Sequence, residues 1–173
     1  MSGRDLILAF EKEFQKSRSY CERAIGQLDD ASLHVQINPQ QNNIATIMQH
    51  VSGNLLSRFT DFLTSDGEKP TRNRDAEFID QNLSRAELMA LWNKAWTCVF
   101  DALASLTDSD LSRVITIRKE PHTVQLALIR SCAHAAWHAA QIALIAKHVK
   151  GSDWQYLTVP PGGSAEFNRK MGM

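Results

Sequence analysis

Excess charge of either sign is missing from this sequence: 19 Lys and Arg offset 19 Asp and Glu over 173 residues. No global field therefore draws the chain to nucleic acid or to anionic lipid. Also missing is any run of about 18 apolar residues, the length a membrane-spanning helix needs. The opening residues Met1-Ser-Gly-Arg-Asp5 reach charge at once and hold no apolar signal core. These absences predict a cytoplasmic protein that uses no nucleic acid and no membrane, with a small molecule or another protein as partner. Cysteine is scarce. Cys21, Cys98 and Cys132 are odd in number and far apart, each in a stretch with helical spacing, so no disulfide framework is expected. The sequence has no Gly-rich phosphate loop, nucleophile elbow, Cys-x-x-Cys pair or Glu-x-x-His diiron signature, and no internal repeat.

What is present reads as helix. The length suits one domain with a real core, over residues 1–173, with the helical part at about 3–150 and an extension at 151–173. Apolar residues from Leu6 to Leu28 keep helical spacing. Asn38-Pro39 breaks the pattern, and Asn42 or Asn43 caps a second helix whose stripe runs Ile44, Ile47, Met48, Val51, Leu55, Phe59, Phe62 and ends near Thr64. Residues 65–82 have no sustained period and predict a long connection of the kind that is often functional or mobile. Ser84 with Glu87 is a capping box opening a third helix, which carries Trp92 and Trp96 and stops around Leu106. Both tryptophans read as core or groove lining. The segment Arg113–Arg118, then Lys119-Glu120-Pro121, then His122-Thr-Val124, rich in β-branched residues about a turn, predicts a short hairpin. A fourth helix follows from about Val124 to His148, with Arg130 its only formal charge up to Ala146. So apolar a helix must be covered on most sides. Its surplus positions Leu126, Ile129, Trp137 and Leu144 predict a second packing surface, and hence a homodimer. Four helices joined by one long crossover give an all-α four-helix bundle, in which sites are built from side chains facing across the core.

His134 and His138 are four apart on the fourth helix, so their rings leave the same face one turn apart. Alanines at 133, 135, 136, 139 and 140 leave room around them. Two core or interface histidines bonded to carbonyls would show the same spacing. His50 adds a third imidazole midway down another amphipathic helix, and three imidazoles from two facing helices suit one divalent metal with its fourth position open. Imidazole accepts zinc, nickel, iron and copper, so the ion's identity stays open. Asn54 and Arg58 follow at i+4 and i+8. They make a polar ridge able to orient a ligand histidine, to bind a substrate carboxylate, or simply to face solvent. His148 lies about 15 Å along the helix from His138 at 1.5 Å per residue, too far to share the ion, and His34 and His122 fall in loops. Asp61 is one carboxylate to test as a closing ligand, although its distance from His50 along the helix argues against it.

Three stretches together resemble a known family. They are Asn43 to Phe59, with His50, Asn54 and Arg58; Asp66-Gly-Glu-Lys-Pro70 with Arg72-Asn-Arg-Asp-Ala-Glu-Phe78; and His134-Ala-Ala-Trp-His138. The chain resembles the DinB/YfiT-like superfamily, in particular its DUF1572 branch, nearly end to end, including a tail Pro160-Pro-Gly-Gly-Ser164 like the branch's usual ending. The resemblance implies an up-down-down-up four-helix bundle, often dimeric, with a three-histidine metal site to which His50, His134 and His138 correspond. Characterised relatives use such sites for thiol chemistry with bacillithiol, mycothiol or glutathione.

Two classes of function follow. In one, a divalent metal (Zn, Ni or Fe) activates a low-molecular-weight thiol toward an electrophile, with Asn54 and Arg58 near the substrate, or else hydrolyses a substrate by a bound hydroxide. In the other, the histidines stabilise a noncatalytic, stress-related dimeric module. The state of the fourth coordination position discriminates them.

Overall fold

The structure is a computed structural model that describes residues 2–173. It is mostly helical: α1 (Gly3–Ile25), α2 (Ile44–Phe59), α3 (Arg85–Ser105), a two-stranded antiparallel sheet of β1 (Val114–Ile117) and β2 (Glu120–Thr123), then α4 (Val124–Lys150) and α5 (Ser164–Lys170). Short 3-10 turns lie in the connections, among them Ala31–His34 and Ala76–Phe78. Side-chain caps start the long helices. Ser2 and Ser84 form capping boxes with Asp5 and Glu87, and Asn43 and Thr123 accept backbone N–H groups of α2 and α4. No helix among the described residues is long and apolar enough to cross a membrane.

α1 packs chiefly on α4 and α2 chiefly on α3, while α2–α4 and α1–α3 contacts close the ring. The core they enclose is aromatic at its centre. Phe14 meets Phe59 and Trp96 edge-on, and Trp96 stacks on Phe100. Trp92 and Trp96 are buried as the sequence predicts, and Trp92 Nε1 donates to Glu22.

Several boundaries differ from expectation. α1 stops at Ile25 rather than Leu28. α2 stops at Phe59 rather than near Thr64, because Thr60 is extended and Asp61 takes φ 48°; Phe62 stays buried without being helical. The apolar stripe continued past the helix because the core does. α5 was not foreseen. Within the chain α4 leaves the surplus positions uncovered: Trp137 and Leu144 are each 70% exposed. The helix buried almost all round is α2, including its polar residues Gln49, His50, Asn54 and Arg58.

The hairpin forms, with Val114 opposite Thr123 and Ile117 opposite Glu120, so Glu120 and Pro121 pair in β2 instead of forming the expected turn. Its turn residues Arg118 and Lys119 both have positive φ, 55° and 66°, a conformation L residues adopt reluctantly. Asp66 holds it, accepting the N–H groups of Arg118 and Lys119 at 2.8 Å each. The long connection is thus pinned to the hairpin. At its far end His34 joins Asp80 (2.8 Å) and Leu83 O (3.2 Å), and Asn43 Nδ2 donates to the same Asp80. The extension docks on the end of α1 and the turn after it, where Arg23 donates to Leu157 O and Gln27 to Gln155 O.

Candidate metal centre

α2 and α4 face one another where His50 meets His134 and His138. The three ring centroids stand 4.5 to 5.3 Å apart, and all three residues present Nε2 inward. His134 Nε2 lies 3.3 Å from His50 Nε2 and 3.2 Å from His138 Nε2, and one ligand atom from each ring fits within a common span of 4.8 Å. For metal–nitrogen bonds of about 2.0–2.1 Å, adjacent corners of a tetrahedron are about 3.3 Å apart. Two edges of the triangle therefore already have the spacing that a bound ion would impose.

Burial keeps the two α4 rings in the ligand form. It pushes His134 down to about 3, with the positive charge of His138, His50, Arg72 and Arg58 acting the same way. His138 is lowered by burial and by His50, against a hydrogen bond to Gln141 that opposes the shift. Neutral imidazole offers a lone pair, and imidazolium cannot bind a cation.

The outward nitrogens differ in their partners. His50 Nδ1 lies 3.0 Å from Glu77 Oε2, and His138 Nδ1 lies 2.7 Å from Gln141 Oε1. His134 Nδ1 is buried without a partner. Glu77 is gripped by Arg72, whose Nε and Nη2 each donate at 2.7 Å. Arg72 also reaches Glu68, which takes further bonds from Arg58 (3.1 Å) and Arg118 (3.0 Å). Burial raises the Glu77 carboxyl, but the bonds from Arg72 and His50 outweigh it and hold the group below its ordinary range.

Of the residues expected at the site, the three histidines come together. Asn54 is buried one turn along α2 and takes no part in the hydrogen bonds around them. Arg58 is engaged elsewhere, donating to Gly67 O and Glu68, so its guanidinium supports the long connection. Asp61 is not among the grouped ligand atoms. His34, His122 and His148 are not in the group of three, although His34 ends a 3-10 turn and His122 lies in β2 rather than in loops. Sequence reasoning assigned no role to Glu68, Arg72, Glu77 or Gln141. The signals for the first three were a dense run of charge in a long aperiodic connection and their place in a stretch that resembles the family.

A protein-family model described as a protein of unknown function, DUF1572, matches residues 2–163. The chain belongs to the DUF1572 family. The matched span includes all three histidines and the connection that carries Glu77. Comparison with curated proteins returned no match.

Proposed function

We propose that this DUF1572 protein is a metal-dependent enzyme of the DinB/YfiT-like superfamily, using His50, His134 and His138 to hold one divalent ion (Zn, Ni or Fe) and activate a low-molecular-weight thiol. The observation that carries the reading is the convergence of three imidazole Nε2 atoms at 3.2 and 3.3 Å across two helices. In the superfamily's terms, α1 to α4 make an up-down-down-up four-helix bundle, cytoplasmic and dimeric. The ring of packed helices and one shared core support that placement, as do the residues that resemble the superfamily.

When bound, a divalent ion supplies Lewis acidity that lowers the pKa of a thiol and favours its nucleophilic thiolate at neutral pH. The chain's own contribution is geometric and electrostatic. Burial holds His134 and His138 neutral, and α4 fixes these two ligands one turn apart. Among the described residues no carboxylate or thiol joins the group of three, which favours an open fourth position over a closed structural site. Phe78 lies over the His50 ring with centroids 4.5 Å apart, shielding one face of that ligand from water.

Elemental analysis of protein purified without a metal-affinity tag should find about one divalent ion per chain. His138→Ala should lose most of it while helical circular dichroism persists. Unchanged metal in His50→Ala, His134→Ala and His138→Ala would remove the site. In cobalt-substituted protein, bacillithiol, mycothiol or glutathione should perturb the visible spectrum. Should none do so, the thiol reading falls and hydrolysis or a noncatalytic role replaces it.

A further inference from the structure

The three histidines are not supported alike. Among their outward nitrogens, only His50 Nδ1 meets a carboxylate. That carboxylate arrives from the 3-10 turn Ala76–Phe78 of the long connection and is fixed before it reaches the histidine, because Arg72 grips both of its oxygens. The Arg72 side chain is only 4% exposed and that of Glu77 10%. A charged pair this well enclosed is strong when complete and costly when broken.

Gly53 supplies an independent observation. It lies three residues after His50 on the same face of α2, in the interior of a helix, where glycine costs about 1 kcal/mol relative to alanine. A Cβ there would stand 2.2 Å from Glu77 Oε1 and 2.7 Å from its Cδ. The missing side chain is the notch into which the carboxylate fits. The next residue, Phe78, covers the His50 ring and is itself covered by the Arg74 guanidinium at 5.0 Å. The hydrogen bond, the notch and the stack all act on one imidazole.

We infer that Glu77, seated in the Gly53 notch and locked by Arg72, is the positioning residue of the metal centre, keeping the His50 proton on Nδ1 so that Nε2 offers its lone pair to the ion. Glu77 does not touch the ion. Its carboxylate accepts the Nδ1–H bond, which fixes tautomer and ring orientation and makes Nε2 a better donor. The long connection therefore belongs to the metal centre although it contributes no ligand. The inference rests on the metal reading above.

The test compares wild type, Glu77→Gln and Gly53→Ala for zinc affinity, by competition with a chromophoric chelator, and for the His50 tautomer in metal-free protein, by long-range proton–nitrogen NMR. Wild type should show His50 protonated at Nδ1. Glu77→Gln should bind zinc about 10- to 100-fold more weakly and lose that single tautomer. Gly53→Ala, which leaves the carboxylate intact but evicts it from the notch, should shift both readouts the same way. A side chain that merely braces the loop would move neither tautomer nor affinity. Equal zinc affinity in folded variants, or a metal-free wild type with His50 protonated at Nε2, overturns the inference; the latter needs no variant to fold. A wild type that binds no zinc, nickel or iron overturns the metal reading itself.

Discussion

Arg58 is buried with its guanidinium against Gly67 O and the Glu68 carboxylate, and burial pulls its pKa down against the opposing pull of Glu68. Removing it would leave an enclosed acceptor and a partly enclosed carboxylate short of a partner. Arg58→Ala should therefore cost about 3 kcal/mol of stability, read from the urea midpoint. A residue kept for binding a substrate carboxylate would instead raise KM and leave the midpoint in place. The three histidines were legible from sequence because an i, i+4 pair and a polar residue on an apolar stripe are local patterns. The Arg58–Glu68–Arg72–Glu77 chain was not, since nothing local relates residue 50 to residue 77. Only the folded connection sets Glu77 beside Gly53, and an unpaired charge run reads equally well as solvated surface.

The 60–84 connection and the hairpin behave as one element. Asp66, Glu68 and Asp80 all face burial that raises their pKa, and all are held lower by bonds: backbone N–H groups at Asp66; Arg118, Arg72 and Arg58 at Glu68; His34 and Asn43 at Asp80. Their ordinary values are 3.8, 4.5 and 3.8. A depressed carboxylate stabilises the fold fully above its unfolded-state value, and the contribution fades as pH falls through the lower folded-state value. Tm should accordingly begin to fall below about pH 6.5, where the lowered His134 and His138 oppose protonation that the unfolded chain accepts, and fall more steeply below about pH 4, where the carboxylate contribution is lost. Asp66→Asn should have a lower Tm at pH 7 and a shallower acid slope. An unaltered slope would mean that the hairpin turn does not depend on this carboxylate. The hairpin could be foreseen from its β-branched residues. Its anchor could not, because Asp66 lies 52 residues from Arg118 and, in sequence, is only one more polar residue beside a glycine.

For the whole molecule, the open face of α4 sets the expectation. Leu126, Ile129, Trp137 and Leu144 are 53%, 47%, 70% and 70% exposed, on a helix whose interior carries no charge except Arg130. A twofold pairing through this face would cover them. Light scattering at micromolar concentration should give a dimer mass, and Trp137→Glu a monomer that keeps its helicity; a monomeric wild type removes the pairing. The packing of α1 on α4 also bears on how the chain is made. Residues 26–123 separate the two helices, so at roughly 5–20 residues per second a ribosome takes roughly 5–20 s to pass from one to the other. Through that interval the apolar face of α1, with Ile7, Phe14 and Cys21, has no access to its principal partner. Until α4 emerges, that face is transiently exposed apolar surface of the kind that chaperones exist to cover.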